Sequence, residues 1–275
     1  AQYILACLLR HAERSGVSLF GKCMGIVGVG HVGRQVETYC RRLGMQVLLN
    51  DPPRAEKEGA ESFVSLEKIA RECDYVSFHT PLTYTGPYPT YHLADSRFFE
   101  RLQRQPAILN AARGGIVDEV ALLEAYFAHK VSDMIIDCWE TEPNPLPDLL
   151  RNAFIATPHI AGYSVEGKAN ATRTMLAAVA ARLSIDPNRV TVSPPPPVHP
   201  AITVSELKKA LLQAVLKVYD PANDTSVLKN APDAFEQLRS HYPLRREFSA
   251  YSVAPAAVAQ KLQVWGFAPV FDSVL

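Results

Sequence analysis

The chain has 275 residues, of which 48% are hydrophobic and 20% charged, enough for one large domain or two modest ones with separate cores. Equal numbers of basic and acidic side chains give a formal net charge of zero, which argues against nucleic acid or an anionic membrane as a partner; no apolar run approaches the ~18 residues of a membrane span. Five scattered cysteines without a Cys-x-x-Cys pair argue against disulfides and a zinc site, and predict reduced thiols in a cytoplasmic protein without a bound metal.

Short apolar segments alternate with helical patterns through the first part of the chain. Helices are predicted at residues 1–10, 31–43, 65–72, 95–102 and 118–128, and strands at residues 22–27, 46–50, 75–79, 107–110 and 133–137. Such alternation indicates an α/β fold with a doubly wound parallel sheet that is covered by helices on both faces. Ligands of these sheets bind at the carboxyl ends of the strands, so the site should lie there.

The pattern changes beyond residue 160. Residues 164–183 are predicted as a long alanine-rich helix, which is followed by a break at Asp186 and Pro187. The four prolines at residues 194–197 favour an extended spacer, because proline cannot continue a helix. Beyond the spacer, helices near 204–218 and 233–240 and strand-like runs at 247–253 and 264–267 predict a separate small α+β unit.

A glycine-rich turn joins the first predicted strand to the helix that follows it. Gly28, Gly30 and Gly33 form a Gly-x-Gly-x-x-Gly pattern, with His31 and Val32 in its variable positions. The first glycine permits a tight turn, the second lets a pyrophosphate approach the backbone, and the third permits close packing of helix on strand. The turn is therefore predicted to hold the diphosphate of a dinucleotide at the helix N-terminus, as a Rossmann sheet does. The alternative is a plain strand-to-helix turn.

Asp51 ends the second predicted strand, 18 positions after Gly33. An acid at about this distance binds the ribose diol of a dinucleotide and repels a 2′-phosphate, so it favours NAD over NADP. Arg54 lies nearby and leaves this preference open. The alternative role for Asp51 is to cap a helix or form a turn before Pro52.

Three side chains beyond strand ends fit the oxidation of a hydroxy acid. Arg113, after the strand 107–110, could hold a substrate carboxylate in two parallel hydrogen bonds. His159, in a Thr-Pro-His turn, suits the general base because histidine titrates near neutral pH. Glu142 would orient the imidazole and stabilise the imidazolium. Taken singly, Arg113 could form a surface ion pair, His159 could be structural and Glu142 could be a solvated acid. The three together are a more specific sign of hydroxy-acid oxidation. Asp137 would face the nicotinamide carboxamide, or form a turn.

These motifs resemble those of the D-2-hydroxyacid dehydrogenase family over roughly residues 1–185. The resemblance implies an NAD-dependent oxidoreductase in which Arg113, Glu142 and His159 are catalytic and His159 is the proton donor and acceptor. The implied contacts with NAD, besides the glycine-rich turn and Asp51, are Thr80, Ala111, Ala112, Arg113, Asp137 and Gly162. Arg113 and Tyr163 would bind the substrate.

Further features resemble a group within this family that acts on a phosphorylated hydroxy acid. They are the stretch 86–93, Tyr163 and the C-terminal unit with residues 243–248. This resemblance implies that the C-terminal unit mediates homodimerisation, and Arg245 or Arg246 could then reach a substrate phosphate across the dimer. Two alternatives remain: a member of the phosphoglycerate or hydroxypyruvate type, and a non-catalytic fragment that binds NAD or dimerises.

The resemblance also suggests how the chain is divided. Family members begin with a further segment that forms most of the substrate domain, so we expect this chain to be truncated and its isolated activity to be impaired. The expected parts are an interdomain helix with a remnant of the substrate domain (1–20), an NAD-binding Rossmann domain (21–160), a helix that returns to the substrate domain (161–190) and a C-terminal dimerisation domain (191–275).

Overall fold

The computed structural model describes residues 1–186 and 192–269. Beyond the first two residues, its contacts form two compact units. The first unit comprises Tyr3–Ile160 together with Pro221–His241, and the second comprises the described residues of 161–220 and 242–269. The predicted C-terminal domain therefore contributes residues 221–241 to the first unit, and we call these residues the 221–241 segment. The boundary predicted at residues 190 and 191 lies outside the described residues.

Six parallel strands form the sheet of the first unit. They are β1 (Cys23–Val27), β2 (Gln46–Asn50), β3 (Tyr75–Phe78), β4 (Ala107–Asn110), β5 (Asp133–Ile136) and β6 (Ile155–Ala156). Their order across the sheet is β2-β1-β3-β4-β5-β6. Strands β1, β3 and β4 are buried at every residue, as expected for a parallel sheet that is covered on both faces. The predicted α/β fold with a doubly wound Rossmann sheet is confirmed.

Each predicted helix has a counterpart in the structure, and further helices occur that were not predicted. The α-helices of the described chain are α1 (Gln2–Ser15), α2 (His31–Arg42), α3 (Pro52–Glu58), α4 (Leu66–Glu72), α5 (Ser96–Glu100), α6 (Glu119–Phe127), α7 (Pro147–Asn152), α8 (Val165–Leu183), α9 (Ala210–Val218), α10 (Pro221–Asn230), α11 (Phe235–Ser240) and α12 (Ala256–Leu262). Side chains of Ser65, Asp95, Asp118 and Ser164 cap the helices that they precede, which explains why these starts were predictable. Of the helices listed, α3, α7, α10 and α12 have no counterpart in the sequence prediction.

Helix α1 belongs to the core of the first unit. Tyr3, Leu5 and Leu8 are at most 1% exposed. Further along the helix, the ring of His11 is hydrogen-bonded to the Tyr75 hydroxyl and to Asp133 at the amino ends of β3 and β5, with both distances at 3.0 Å. The C-terminal part of the helix therefore lies at the end of the sheet opposite to the candidate site.

The sheet order places a switch point between β1 and β3. From β1 the chain proceeds to β2 on one side, and then returns to β3 on the other. The loops that leave the carboxyl ends of β1 and β3 therefore diverge and leave a crevice between them, which is where open α/β sheets bind their ligands. The glycine-rich turn follows β1 and Thr80 follows β3, so both lie at this crevice.

The second unit contains a small parallel sheet in which β7 (Ala201–Thr203) pairs with β8 (Ser252–Ala254). One strand prediction here is correct only at its end, where β8 begins, and the other is wrong. The run 247–253 instead contains a 3-10 helix at Phe248–Ala250 before β8, and Gln263–Trp265 is a 3-10 helix that continues α12. Aromatic and β-branched residues favour strands only where a pleated surface surrounds them. Here Phe248 and Trp265 pack inward from tight helical turns instead.

No helix of the described chain has the length and apolar character required to cross a bilayer.

Candidate active site

The three glycines of the turn after β1 have different surroundings. Gly28 takes a φ of +89°, and a Cβ atom there would lie 2.8 Å from backbone atoms of His79 and Thr80. A Cβ atom on Gly33 would collide with the carbonyl oxygen of Gly28, so helix α2 can approach the turn only because this residue is glycine. On Gly30, by contrast, a Cβ atom would meet no described atom within 4 Å. The turn is tight at its two ends and open in its middle.

The open middle fits the diphosphate of NAD. Gly30 is the N-cap of α2, no side chain caps this helix, and its first turn contains no acid. His31 and Val32 begin the helix and are exposed, and the first N–H groups of a helix have no partner within it. Free N–H groups and the helix dipole at such an end attract anions. The residues present therefore suit the role that the sequence predicted for them.

Asp51 serves both as a helix cap and as a link to the glycine-rich turn. Its Oδ2 accepts a hydrogen bond from the N–H of Val29 at 2.8 Å, and its Oδ1 accepts one from the N–H of Arg54 at 3.1 Å. Each oxygen can still accept a hydrogen bond from a ribose hydroxyl, since an ionised carboxylate offers about four such positions. The alternative capping role is thus real, and it is compatible with ribose binding.

Arg54 is engaged by its own neighbours. Its Nε donates to Glu58 Oε1 at 2.8 Å, its Nη1 donates to the carbonyl oxygen of Val29 at 2.8 Å, and its guanidinium lies over the ring of Phe63. The negative charge of Glu58 therefore offsets the positive charge of Arg54, which would otherwise attract a 2′-phosphate. This arrangement favours NAD, as Asp51 does.

Thr80 lies at the facing side of the crevice. Its Oγ1 is buried and has no hydrogen-bond partner in the described structure. A buried hydroxyl without a partner is costly, so a ligand group that supplies one would bind favourably. Thr80 therefore suits the cofactor contact that the family resemblance implies for it.

Asn110 shapes the loop that presents Arg113. Its Nδ2 donates to the carbonyl oxygens of Arg113 (2.9 Å) and Cys138 (3.4 Å), and its Oδ1 accepts from the N–H of Ala112 (3.2 Å). Asn110 is only 2% exposed. It thereby ties the loop after β4, which includes Ala111 and Ala112, to the loop after β5. The sequence analysis did not assign this residue a role, although a polar residue that ends a buried strand is a usual sign of a turn former.

Arg113 itself is exposed, and its Nη1 donates a hydrogen bond to the carbonyl oxygen of Ala112 at 2.6 Å. Within the described residues no carboxylate pairs with it, so the alternative of a surface ion pair is not realised. Gly114 lets the backbone of Trp139 approach closely, because a Cβ atom there would collide with the carbonyl group of Trp139. The space beside this glycine is therefore filled by the protein and is not open to a ligand.

Glu142 and His159 form a hydrogen-bonded pair. The His159 Nδ1 lies 2.9 Å from Oε1 and 2.8 Å from Oε2 of the Glu142 carboxylate. Because Nδ1 donates to the carboxylate, the neutral ring carries its accepting lone pair on Nε2. The N–H of Trp139 also donates to Glu142 Oε1 at 2.9 Å. The pair that was predicted from residues 17 positions apart is thus assembled, and its free nitrogen can take a proton.

The carboxyl of Glu142 stays ionised despite partial burial. Burial acts to raise its pKa, but the hydrogen bonds from His159 and from the Trp139 N–H, together with the charges of His159 and Arg239, outweigh this effect and lower the pKa below its usual value. An ionised partner is what stabilises the imidazolium once the ring has accepted a proton.

The turn that carries His159 is held by a buried polar chain. The Tyr3 hydroxyl is bonded to the Thr157 hydroxyl at 2.8 Å, which donates to Asp137 Oδ1 at 2.6 Å; the N–H of Ile160 donates to the same oxygen at 2.8 Å. The backbone N–H of His159 bonds the carbonyl oxygen of Asp137 at 2.8 Å, although His159 has a φ of +56°. These bonds hold a backbone conformation that L residues seldom adopt.

Asp137 therefore holds a turn, a role that was predicted from the sequence only as the alternative. It is 1% exposed and anchors the turn of His159. Contact of Asp137 with the nicotinamide carboxamide stays a prediction.

Cys138 completes a group whose potential ligand atoms lie within 4.8 Å of one another, together with Glu142 and His159. Burial, reinforced by the negative charges of Asp137 and Glu142, raises the pKa of the Cys138 thiol. Metal binding requires a thiolate, and the Nδ1 of His159 already serves the carboxylate. The donor set therefore suits an acid–base pair better than a metal.

The remaining predicted residues lie in the second unit. The ring of Tyr163 is covered by Lys168 Nζ at 4.4 Å from its centroid, and Gly162 is exposed. Arg246 Nε donates to Glu166 at 2.7 Å, and Arg245 is 6% exposed with its guanidinium over the Tyr219 ring. Both arginines are thus engaged within the unit. The ligand roles of Gly162 and Tyr163 stay predictions.

Comparisons with known proteins agree with this geometry. The family model described as D-isomer specific 2-hydroxyacid dehydrogenase, NAD binding domain, matches residues 6–161, and a domain of unknown function (DUF3410) matches residues 195–266. The erythronate-4-phosphate dehydrogenase of Bacteroides thetaiotaomicron is 46% identical over 253 residues, which cover 92% of this chain and 71% of that protein. That of Porphyromonas gingivalis is 42% identical over 263 residues, covering 94% and 71%.

A solved structure shares the fold as well. The crystal structure of a glyoxylate reductase from Paecilomyes thermophila superposes with a TM-score of 0.55 at 25% identity, over 70% of this chain and 64% of that chain. The predicted cofactor, NAD, and the predicted class of enzyme, an oxidoreductase, are confirmed by the matched NAD binding domain and the dehydrogenase relatives. The chain therefore belongs to the D-isomer specific 2-hydroxyacid dehydrogenase family, and within it to the erythronate-4-phosphate dehydrogenases.

Proposed function

We propose that the protein oxidises 4-phospho-D-erythronate with NAD to (R)-3-hydroxy-2-oxo-4-phosphooxybutanoate, a step of pyridoxal 5′-phosphate (vitamin B6) biosynthesis. The names of its relatives support this substrate. The observation that carries the reaction type is the Glu142–His159 pair, in which Nδ1 is held by the carboxylate and Nε2 is left to exchange a proton.

Each catalytic side chain has a distinct task. Arg113 binds the substrate carboxylate with its exposed guanidinium and so fixes C2. The glycine-rich turn and Asp51 would hold NAD, which would supply the acceptor for the hydride of C2. The Nε2 of His159 takes the proton of the C2 hydroxyl, which leaves a carbonyl group at C2. Glu142 stabilises the resulting imidazolium through Nδ1.

The substrate assignment is tested by NADH formation. The protein is incubated with NAD and, separately, with 4-phospho-D-erythronate, 3-phosphoglycerate and glycerate, the reduced form of hydroxypyruvate. We expect NADH only with the first acid. Turnover of 3-phosphoglycerate or glycerate without turnover of 4-phospho-D-erythronate would assign the protein to one of the other types. Binding of NAD without oxidation of any acid would support the alternative of a non-catalytic fragment.

The role of His159 is tested by His159→Asn. Asparagine cannot accept the hydroxyl proton, so we expect kcat to fall by roughly 10²–10⁴-fold. The affinity for NAD should stay unchanged, because His159 is not part of the glycine-rich turn. Fluorescence titration with NADH and steady-state kinetics measure the two quantities. Retained turnover would exclude His159 as the base.

We further propose that the second unit mediates homodimerisation in the cytoplasm. Support comes from a cavity of about 590 Å³ in this unit, which is lined by Val198, Ile202 and Leu244 among others. Val198 is 88% exposed and Leu244 is 75% exposed, so this surface would gain from being covered. Leu244→Asp should shift the sedimenting mass from dimer to monomer, whereas Phe127→Asp, at an exposed position of the first unit, should not. A monomeric wild-type protein would refute the proposal.

A further inference from the structure

The 221–241 segment is built into the unit that holds the candidate active site. Strand β6 lies at the edge of the sheet, and its Ala156 N–H donates a hydrogen bond to the side-chain oxygen Oγ1 of Thr225 at 3.1 Å. Lys229 Nζ donates to the carbonyl oxygens of Ala153 and Arg151, at 2.5 and 3.1 Å. These bonds attach helix α10 along the edge of the sheet.

Burial fixes the same segment more firmly. Leu228 is 0% exposed and Phe235 is 1% exposed, and both belong to the hydrophobic core that contains Ile108 and Trp139. Burying two large apolar side chains stabilises this attachment. Helix α11, which begins at Phe235, is therefore held in a defined position.

Helix α11 places Arg239 beside the catalytic pair. The Arg239 Nη1 lies 3.7 Å from Glu142 Oε2, and the two side chains are 31% and 20% exposed. The same Nη1 lies 3.8 Å from Glu236, one turn earlier on the helix. A positive charge at this distance favours the ionised form of Glu142, and its effect contributes to the lowered pKa of that carboxyl.

We propose that Arg239 is a positioning residue of the Glu142–His159 pair. Its guanidinium keeps the carboxylate ionised and oriented, and at the same time offsets part of the negative charge that would hold a proton on the imidazole.

Other groups around the pair do not supply this positive charge. Among the described residues, the titratable neighbours of Glu142 are His159, Cys138, Glu119 and Arg239. Cys138 stays a neutral thiol because burial raises its pKa, and burial raises the pKa of Glu119 to about 7. Arg113 is kept for the substrate carboxylate. Arg239 is therefore the cation that balances the pair.

The direct test is an NMR titration that requires no substrate. The Hε1 signal of His159, assigned by its loss in His159→Asn, is followed with pH in the wild type, Arg239→Gln and Arg239→Lys. Removal of the charge in Arg239→Gln should raise the titration midpoint by roughly 0.3–1 pH unit, the size expected for a partly exposed ion pair. Arg239→Lys should restore much of the wild-type midpoint. An equal midpoint in all three proteins would overturn the proposal, and so would equal shifts in the two variants.

Kinetics supply a second readout, which rests on the proposed function. For Arg239→Gln, kcat/KM with the hydroxy acid should fall about 2–10-fold on the acid limb of its pH profile and change little at high pH. The control is Arg151→Gln, which removes an exposed arginine paired to Asp148 in the same unit. It should move neither the NMR midpoint nor the profile. A uniform fall at every pH would mark Arg239 as merely structural, whereas inactive wild type with a normal NMR shift would refute only the substrate assignment.

Discussion

The histidine of the catalytic pair depends on residues that never reach the substrate. Its left-handed backbone is held by hydrogen bonds to Asp137 and Thr157, and its ring is held by Glu142. Tyr3 extends this support from the first helix of the chain. The direction of the imidazole is therefore decided by the folded chain itself, and such pre-orientation is what the proposed acid–base role requires.

Asp51 gives a test of cofactor choice at a single residue. Asp51→Ala should weaken NAD binding about 10–100-fold, since hydrogen bonds to a charged group contribute about 1.5–3 kcal/mol. The affinity for NADP should fall less, because the carboxylate no longer repels the 2′-phosphate. Isothermal titration with each cofactor measures both values.

Asp51→Asn serves as the matched variant. Its amide oxygen can keep the cap on α3, while the charge and the acceptor for the Val29 N–H are lost, so it should lose the preference for NAD with a smaller loss of stability than Asp51→Ala brings. An unchanged NAD to NADP ratio in both variants would exclude Asp51 as the residue that selects the cofactor.

Among the elements, the most consequential are those that the sequence patterns did not predict. Strand β6 has only two residues, too short for any periodicity to be read. Helix α10 completes it from the far C-terminal part of the chain, through Thr225. Helix α3 begins directly after Asp51, whose capping of a helix was predicted only as an alternative; proline is well suited to the first turn of a helix.

Thr225 allows the attachment of α10 to be measured. Thr225→Val keeps the shape of the side chain but leaves the N–H of Ala156 buried without an acceptor, so the free energy of unfolding should fall by about 1–3 kcal/mol. Urea denaturation gives this value. Thr38→Val on α2, where an exposed threonine bonds its own helix, should change it by less than about 0.5 kcal/mol. Equal effects of the two substitutions would show that α10 contributes little.

The stability of the whole molecule should vary with pH in two windows. Glu142 has a lowered pKa in the folded protein, so its contribution is present above the pKa of the unfolded chain and is lost as the pH falls through the folded value. Glu119 acts in the opposite sense. It is 3% exposed, and burial raises its pKa to about 7, so its contribution is present at low pH and is lost as the pH rises toward 7.

Glu119→Gln isolates the second window. The Oε1 of Glu119 accepts the N–H of Glu140 at 2.7 Å, and a glutamine oxygen can replace it without titrating. The unfolding free energy of the variant, minus that of the wild type, should therefore increase by up to about 3 kcal/mol between pH 4.5 and 7. Denaturation at several pH values measures this difference, in which other titrating groups such as His79 cancel. A difference independent of pH would contradict the raised pKa of Glu119.

The chain spans 71% of the length of the curated relatives it matches, and the family match to the NAD binding domain lies within the first unit. The cofactor crevice and the catalytic pair are thus contained in one compact unit. The 221–241 segment makes that unit discontinuous in sequence, which places the stability of the catalytic side under the influence of the C-terminal part of the chain.

Local patterns alone determined the alternating α/β architecture, the glycine-rich turn and the identity of Arg113, Glu142 and His159. Periodicity, capping residues and turn chemistry act over a few neighbouring residues, so one sequence suffices to read them. The tertiary structure decided which partners these residues have: the anchoring of the His159 turn by Asp137, the close approach of Gly114 to Trp139, and the place of Arg239 beside Glu142. Those contacts join residues distant in sequence, and they arise only when the complete core, including Leu228 and Phe235, is packed.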